Sequence, residues 1–313
     1  MQKKYHSVLC GFALCICAVA LAVLCACAVQ NTGSTPQPGT QPATQPPTQD
    51  PIAEQLEKMT LTEKVGQLVT AGCDGYEVDE DLNRLITRKG IGGVILFSDN
   101  IESAPQLTAL TNQIKHAAQD GIPVLIGMDE EGGSVSRLPE DVLSMPPAYT
   151  VAQNGGPDAC YEGGKNIARQ LTAFGLQTGF SPVLDIWSNP DNTVIGNRAY
   201  GTDAQSVASC GIAAMNGVLD GGGIPVVKHF PGHGDTDTDS HYDLPVVTKT
   251  KRQLYKSELI PFKQAISQGA PAVMVSHILC SELDEEYPAS LSKTLVQGLL
   301  RNEMGFDGVV FTD

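Results

Sequence analysis

The chain has 313 residues, 42% of them hydrophobic and 18% charged, with a formal net charge of −15. That hydrophobic content is too high for general disorder, and the length suits one large domain or two small ones. The acid excess argues against nucleic-acid binding, which needs basic patches to neutralise phosphates, and against docking on anionic lipid by charge.

Residues 1–28 read as an export signal: Lys3 and Lys4 precede an uncharged run from Val8 to Val29. The run is long enough to span a bilayer if it is kept. Ala26-Cys27-Ala28 offers a small-x-small cleavage site, whereas Leu24-Cys25-Ala26-Cys27 resembles a bacterial lipobox, in which Cys27 is lipidated and becomes the new N-terminus. Anchored, lipidated or secreted, the rest of the chain is expected outside the cytoplasm. Residues 29–51 are rich in Thr, Gln and Pro and nearly uncharged. They read as an extended spacer that cannot bury enough surface to fold. Of nine cysteines, only Cys73, Cys160, Cys210 and Cys280 lie beyond the leader. They form no CxxC pair, so a structural zinc site is not expected. Buried free thiols are expected, with one disulfide left open.

The folded domain is placed at residues 52–313. Strand-like apolar runs fall at 68–71, 93–97, 123–129, 180–186, 224–230, 272–278 and 308–313. Helical patterns fall between them, at 79–89, 103–120, 158–175, 203–220, 253–268 and 292–304, each stopping near a glycine. Continuous apolar strands alternating with helices imply an α/β fold with a parallel sheet covered on both faces. No GxGxxG follows the first strand and no GxxxxGK[ST] occurs, which disfavours a nucleotide-binding sheet. Polar residues instead recur at strand C-terminal ends: Asp129, Asp185, Lys228-His229, His277 and Asp313. In a (β/α)8 TIM-type barrel those ends converge on one site, so that architecture is preferred.

The densest polar stretch is Lys228-His229-Phe230-Pro231-Gly232-His233-Gly234-Asp235, continuing to Asp237, Asp239 and His241. A calcium loop fails here, since Ser240 and Val246 stand where Gly and Glu are needed. A zinc site from His229, His233 and His241 is a minor alternative, and a solvated acidic loop does not explain Lys228-His229 at a strand end. Acid–base chemistry fits better: Asp239 two residues before His241 can orient the imidazole and raise its basicity.

The run from Lys228 to Gly234, followed by Asp239-Ser240-His241, resembles the signature of the glycoside hydrolase family 3 β-N-acetylhexosaminidases. Other segments agree in order. They are Gly92-Gly93-Val94-Ile95-Leu96-Phe97, Asp129-Glu130-Glu131-Gly132-Gly133-Ser134-Val135-Ser136-Arg137, Ser181-Pro182-Val183-Leu184-Asp185, Ile195-Gly196-Asn197-Arg198-Ala199-Tyr200-Gly201 and Gly305 to Asp313. The resemblance implies a retaining exo-β-N-acetylglucosaminidase acting on peptidoglycan-derived or related glycans without metal or organic cofactor. Asp313 matches the nucleophile, His241 the general acid/base and Asp239 its partner. Asp129, Arg198, Lys228 and His229 match sugar-binding positions, and His277, at the end of the sixth strand, is expected to line the same pocket. His233 is expected to stabilise its loop, Asp185 to be structural, and Trp187 to pack or to stack on sugar. The same fold also serves β-glucosidases, β-xylosidases and phosphorylases, and a non-catalytic sugar-binding lipoprotein is a further alternative. The D-[ST]-H element favours the N-acetylhexosaminidase branch. Seven strand candidates precede the end at Asp313, so a C-terminally incomplete barrel is expected. Unpaired edges would then make it poorly stable and weakly active or inactive.

Overall fold

The computed structural model describes residues 50–236 and 244–313. The expected leader, the spacer up to residue 49, and both Asp239 and His241 lie outside the described residues. Contacts divide the chain into Met1–Glu54 and Gln55–Asp313. The first unit is described only from residue 50, and apart from the first residues of one helix the second holds everything discussed below. Among the described residues, no helix is long and apolar enough to cross a membrane.

Helix α1 (Pro51–Lys58) buries none of its side chains. Helix α2 (Leu61–Gly66) starts from a reciprocal cap: Thr60 Oγ1 accepts from the Glu63 amide at 3.3 Å, and Glu63 Oε2 accepts from the Thr60 amide at 2.7 Å. After β1 (Thr70–Ala71), α3 (Glu80–Arg84) is capped by Asp79 and runs into a wider π-type turn, Leu85–Lys89, that stops at Gly90. Strand β2 (Gly93–Leu96), α4 (Ala104–Ala117) and β3 (Leu125–Met128) follow. Helix α5 (Ala148–Ala173) starts ten residues before the sequence pattern suggests, joining an earlier turn across a break at Gly156 (φ 60°, ψ −155°). Then come α6 (Ala204–Asp220), β4 (Val226–Phe230) and β5 (Val246–Val247).

The single helix expected over 253–268 is two, α7 (Lys251–Leu254) and α8 (Leu259–Ser267). Pro261 is the reason: an unbroken helix would need its missing amide hydrogen to reach Ser257, whereas a proline in a first turn costs little. Strand β6 (Ala272–Val275), β7 (Leu279–Cys280), a π-type helix at Thr294–Glu303 and β8 (Val309–Thr312) complete the order.

Among the described residues the strands pair only in parallel, in three-stranded sheets β1-β2-β3 and β4-β6-β8 and a small pair β5-β7. The small pair was not visible in the apolar pattern, because each strand has two residues. The segment expected as a strand at 180–186 forms no regular strand, and only isolated parallel bridges occur there and just before it, Gly127↔Thr178 and Val183↔Lys228. Pro182 has no amide hydrogen to give and Phe180 has φ 42°, so a regular ladder cannot run through. The segment still joins the two sheets. The Met128 amide donates to Thr178 O on one side, and the Val226 and Lys228 amides donate to Ser181 O and Pro182 O on the other. Seven parallel segments thus follow one another in chain order. Among the described residues β1 and β8 each pair on one edge only.

One core cluster lies under β2 and β3 with α4, holding Val94, Leu96, Leu107, Leu110, Ile126 and Met128. A second lies under β4 and β6, holding Val227, Phe230, Phe262, Val273 and Val275. A third gathers Phe180, Val226, Ala272 and Met274 with Ile95 and Phe311 packed against them. These side chains come from β2, the bridging segment, β4, β6 and β8, so the two sheets turn one face toward a shared interior.

Candidate active site

Parallel strands deliver their C-terminal residues to one end of the sheet. Asp129 follows β3, Asp185 ends the bridging segment, Lys228 and His229 lie in β4, and Asp313 follows β8. The fold brings Asp129 within hydrogen-bond distance of Lys228 and Asp185 within hydrogen-bond distance of His229, while Asp313 emerges at the same end of the sheet.

Lys228 is 2% exposed. Its ammonium donates to Asp129 Oδ1 at 2.7 Å and lies 2.8 Å from Glu131 Oε1. The Glu131 carboxylate is gripped from the other side by Arg198, whose Nη2 and Nε donate to Oε1 and Oε2, each at 2.8 Å. Arg198 Nη1 is turned back onto Val194 O at 2.9 Å, which fixes the guanidinium plane. Two cations and two carboxylates therefore neutralise one another where water is scarce, the condition under which buried charge is tolerated. Burial by itself would push the Glu131 carboxyl up, but Lys228 and Arg198 outweigh it and hold it well below the carboxylate range. The same pairing outweighs burial for Lys228 and Arg198 and holds both more firmly protonated than usual.

Glu131 was not among the residues selected from sequence, although it stands in the matched motif. Its neighbour shows why composition could not choose between them. Glu130 is also buried, but it faces amides and hydroxyls: the Arg137 amide at 2.9 Å and Ser144 Oγ at 3.4 Å. With no cation against it, burial raises its pKa, the opposite direction from Glu131. One glutamate holds a loop, and the next holds the ion cluster.

His229 is oriented from behind. Its Nδ1 lies 2.6 Å from Asp185 Oδ2, and its Nε2 lies 3.4 Å from Arg198 Nη2. A carboxylate only accepts and a guanidinium only donates, so both contacts are hydrogen bonds for the Nδ1–H tautomer. Asp185 also accepts from the His233 amide at 2.6 Å. It is wholly buried, and burial opposes its ionisation, yet His229 and His233 hold its pKa below the usual range. The expected structural role of Asp185 is therefore specific: it aims two histidines of the β4 turn.

That turn closes against the bridging segment. A Cβ on Gly234 would stand 1.8 Å from Ile186 O, so only glycine allows this approach. Asn192 Nδ2 donates to His233 O at 2.9 Å, and His233 Nδ1 pairs with Thr236 Oγ1 at 2.8 Å. His233 thus does stabilise its loop. Burial pushes its pKa down, and Asp313 is close enough for its charge to act on the ring.

Asp313 is exposed, with its amide donating to Val275 O at 2.9 Å. Asp129 keeps 26% of its side chain open, more than Arg198, Lys228 or Glu131. His277 is exposed, and its Nδ1 pairs with Ser290 Oγ at 2.7 Å, not with the ion cluster. Trp187 packs edge-on against Tyr149, centroids 5.7 Å apart. Among the described residues no group of three or more His, Cys, Asp or Glu is arranged to hold a metal ion.

At the stem of the stretch outside the described residues, Lys249 lies 3.0 Å from Asp235 Oδ2 and 2.5 Å from Glu258 Oε1. Asp235 also accepts from Ser188 Oγ at 3.2 Å. The two ends of that stretch are therefore tied to each other and to the start of α8.

Residues 60–313 match the family model for the glycosyl hydrolase family 3 N terminal domain. A β-hexosaminidase of Thiobacillus denitrificans is 38% identical over 245 residues, covering 76% of this chain and 67% of its own length. A solved glycoside hydrolase family 3 β-N-acetylglucosaminidase from Paenibacillus superposes with a TM-score of 0.78 at 44% identity, covering 82% of this chain and 49% of that one. The chain thus spans about half the length of that structure. NagZ of Neisseria gonorrhoeae, solved in complex with N-trifluoroacetyl-D-glucosamine, superposes at 0.73 with 33% identity, covering 79% of this chain and 74% of that one. Sequence match, parallel α/β architecture and charged strand ends agree, and this chain belongs to glycosyl hydrolase family 3.

Proposed function

We propose that the protein is a retaining exo-β-N-acetylglucosaminidase that removes terminal N-acetylglucosamine from peptidoglycan-derived or related glycans. The observation that carries this reading is the desolvated cluster of Asp129, Glu131, Arg198 and Lys228 beside His229, at the strand ends where Asp313 also emerges. Such a cluster is rigid and rich in directional donors and acceptors, which suits a sugar ring better than an apolar ligand. Its likeness to a structure solved with an N-acylated glucosamine supports the same reading.

In this reading Asp313 attacks the anomeric carbon. His241, oriented by Asp239, protonates the leaving oxygen and then takes a proton from the water that releases the sugar. A histidine donor suits an anionic neighbourhood, since a second carboxylate would repel the first. Asp129, with its open carboxylate edge, and Arg198 and His229 contact the sugar hydroxyls. Lys228 and Glu131 set their positions from below. The seven parallel segments belong to a (β/α)8 barrel occupying residues 52–313. Residues 1–28 export and anchor the protein, most simply as a lipoprotein, and 29–51 space the domain from the membrane.

The test compares aryl N-acetyl-β-glucosaminide with aryl β-glucoside and β-xyloside, with and without phosphate. Preference for the N-acetyl substrate, no phosphate requirement, and loss of turnover in Asp313→Asn and His241→Ala are expected. Full turnover in either variant overturns the assignment. Sugar binding by calorimetry without turnover indicates a binding protein instead.

A further inference from the structure

Helices α5 and α6 run side by side in the same direction. Two close approaches set their register. A Cβ on Gly164 of α5 would lie 2.2 Å from Ala214 O of α6, and one on Gly217 of α6 would lie 2.0 Å from Tyr161 O of α5. The backbones touch there because glycine leaves nothing between them. One turn before Gly164 stands Cys160, and one turn before Ala214 stands Cys210. The same register that sets Gly164 on Ala214 therefore sets one thiol on the other. Both cysteines are buried in one small apolar cluster with Ala152 and Ala214, where each stands as a free thiol.

We propose that Cys160 and Cys210 are a disulfide site that staples α5 to α6. A disulfide needs Cα atoms about 4.4–6.8 Å apart. Helices normally pack with axes 8–10 Å apart, and contacts between bare backbones bring them nearer than that. The site is placed to matter for the chemistry. Tyr200, two residues beyond Arg198, packs against the pair, and Cys160, Tyr200 and Glu131 line one small cavity. The staple lies one side chain behind the carboxylate that holds Lys228 and Arg198.

Closure removes two hydrogen atoms, two electrons with two protons, from the thiols. A disulfide oxidant takes them up and leaves as two thiols, by way of a mixed disulfide. Burial raises both thiols above their ordinary pKa, so thiolate is scarce once the helices have packed. The bond therefore forms while the chain folds and is afterwards shielded from reductant. An oxidising space outside the cytoplasm is where such a bond persists. That setting rests on the export reading, whereas the bond can be tested in vitro independently of export and of activity.

The full chain is refolded in a buffer of oxidised and reduced glutathione, quenched in acid, unfolded, blocked with N-ethylmaleimide and digested for mass spectrometry. The peptides of Cys160 and Cys210 are expected as one linked species, two hydrogens lighter than their sum, while Cys73 and Cys280 carry maleimide. Reduction of the bond is expected to lower the melting midpoint by about 5–15 °C, as for a loop of some fifty residues, and the Cys210→Ser variant is expected to show no such dependence. Recovery of Cys160 and Cys210 both alkylated from refolded, cooperatively melting protein overturns the proposal. So does a wild-type midpoint that reductant does not move.

Discussion

Replacing Glu131 by glutamine keeps the side chain's shape and removes its charge. In the native cluster this carboxylate accepts from Arg198 twice and faces Lys228, all at 2.8 Å, and its side chain is 4% exposed. After the change two buried cations face one carboxylate, Asp129, and the amide cannot accept at both ends. Breaking a buried ion pair by removing one partner costs about 3–5 kcal/mol, because the remaining charge stays desolvated. Taking about 3 kcal/mol, since the amide oxygen still accepts one bond, the midpoint falls by roughly 6–12 °C for a domain of this size. Calorimetry measures the shift directly. The charge origin is isolated by adding Lys228→Met, which removes one stranded cation. If electrostatics are responsible, the double variant melts higher than Glu131→Gln alone, a coupling that a mere packing defect would not produce. A Glu131→Gln midpoint within about 2 °C of wild type, or no recovery on adding Lys228→Met, would refute the reasoning.

Asp185→Asn offers an amide hydrogen to His229 Nδ1 and so favours the opposite tautomer. Loss of this charged hydrogen bond is expected to lower kcat/KM by roughly 10- to 150-fold, read on an aryl N-acetyl-β-glucosaminide; unchanged kinetics would remove the orienting role of Asp185. Lys249→Ala strands the buried Glu258 and releases Asp235, so the midpoint is expected to fall by several degrees. It should also lower kcat more than it raises KM, because Asp239 and His241 lie between the two tied ends; equal kcat in mutant and wild type would contradict this. The pH dependence has two windows. His233 titrates below its ordinary value of 6.5, so the unfolded chain takes up the proton first. Its contribution is complete above pH about 6.5 and is lost as the pH falls from there toward the folded value. Glu131 and Asp185 are held below their ordinary values, so theirs is complete above about pH 4.5 and is lost as the pH falls further. Urea midpoints are therefore expected to drop in two stages on acidification. The upper stage should be missing in His233→Gln; its persistence there would assign it to another group.

Much of the fold was readable because buried parallel strands need apolar residues on both faces and leave short continuous runs. Six of the seven expected strands are present. The seventh, 180–186, reads as a strand by hydrophobicity, but Pro182 and the φ of Phe180 break its ladder. Helix breaks were less legible: Pro261 splits one expected helix, and the segment from Ala148 joins another past Gly156. Asp129, Lys228 and His229 stood out as polar residues where apolar strands end, Arg198 came from the family resemblance, and the structure brings all four together.

What the sequence determined by itself was local. It set where apolar runs alternate, where caps and prolines stop a helix, and which residue types stand at strand ends. Family membership was equally legible, because a run such as Lys228 to Gly234 is a local pattern. The tertiary structure alone decided which of the consecutive acids Glu130 and Glu131 carries the site. The partners that settle it are remote in sequence: Arg198 lies 67 residues from Glu131, and Lys228 lies 99 from Asp129. A carboxylate's charge state depends on the cations and amides within a few ångströms of it, and those neighbours exist only once the strands have been laid side by side.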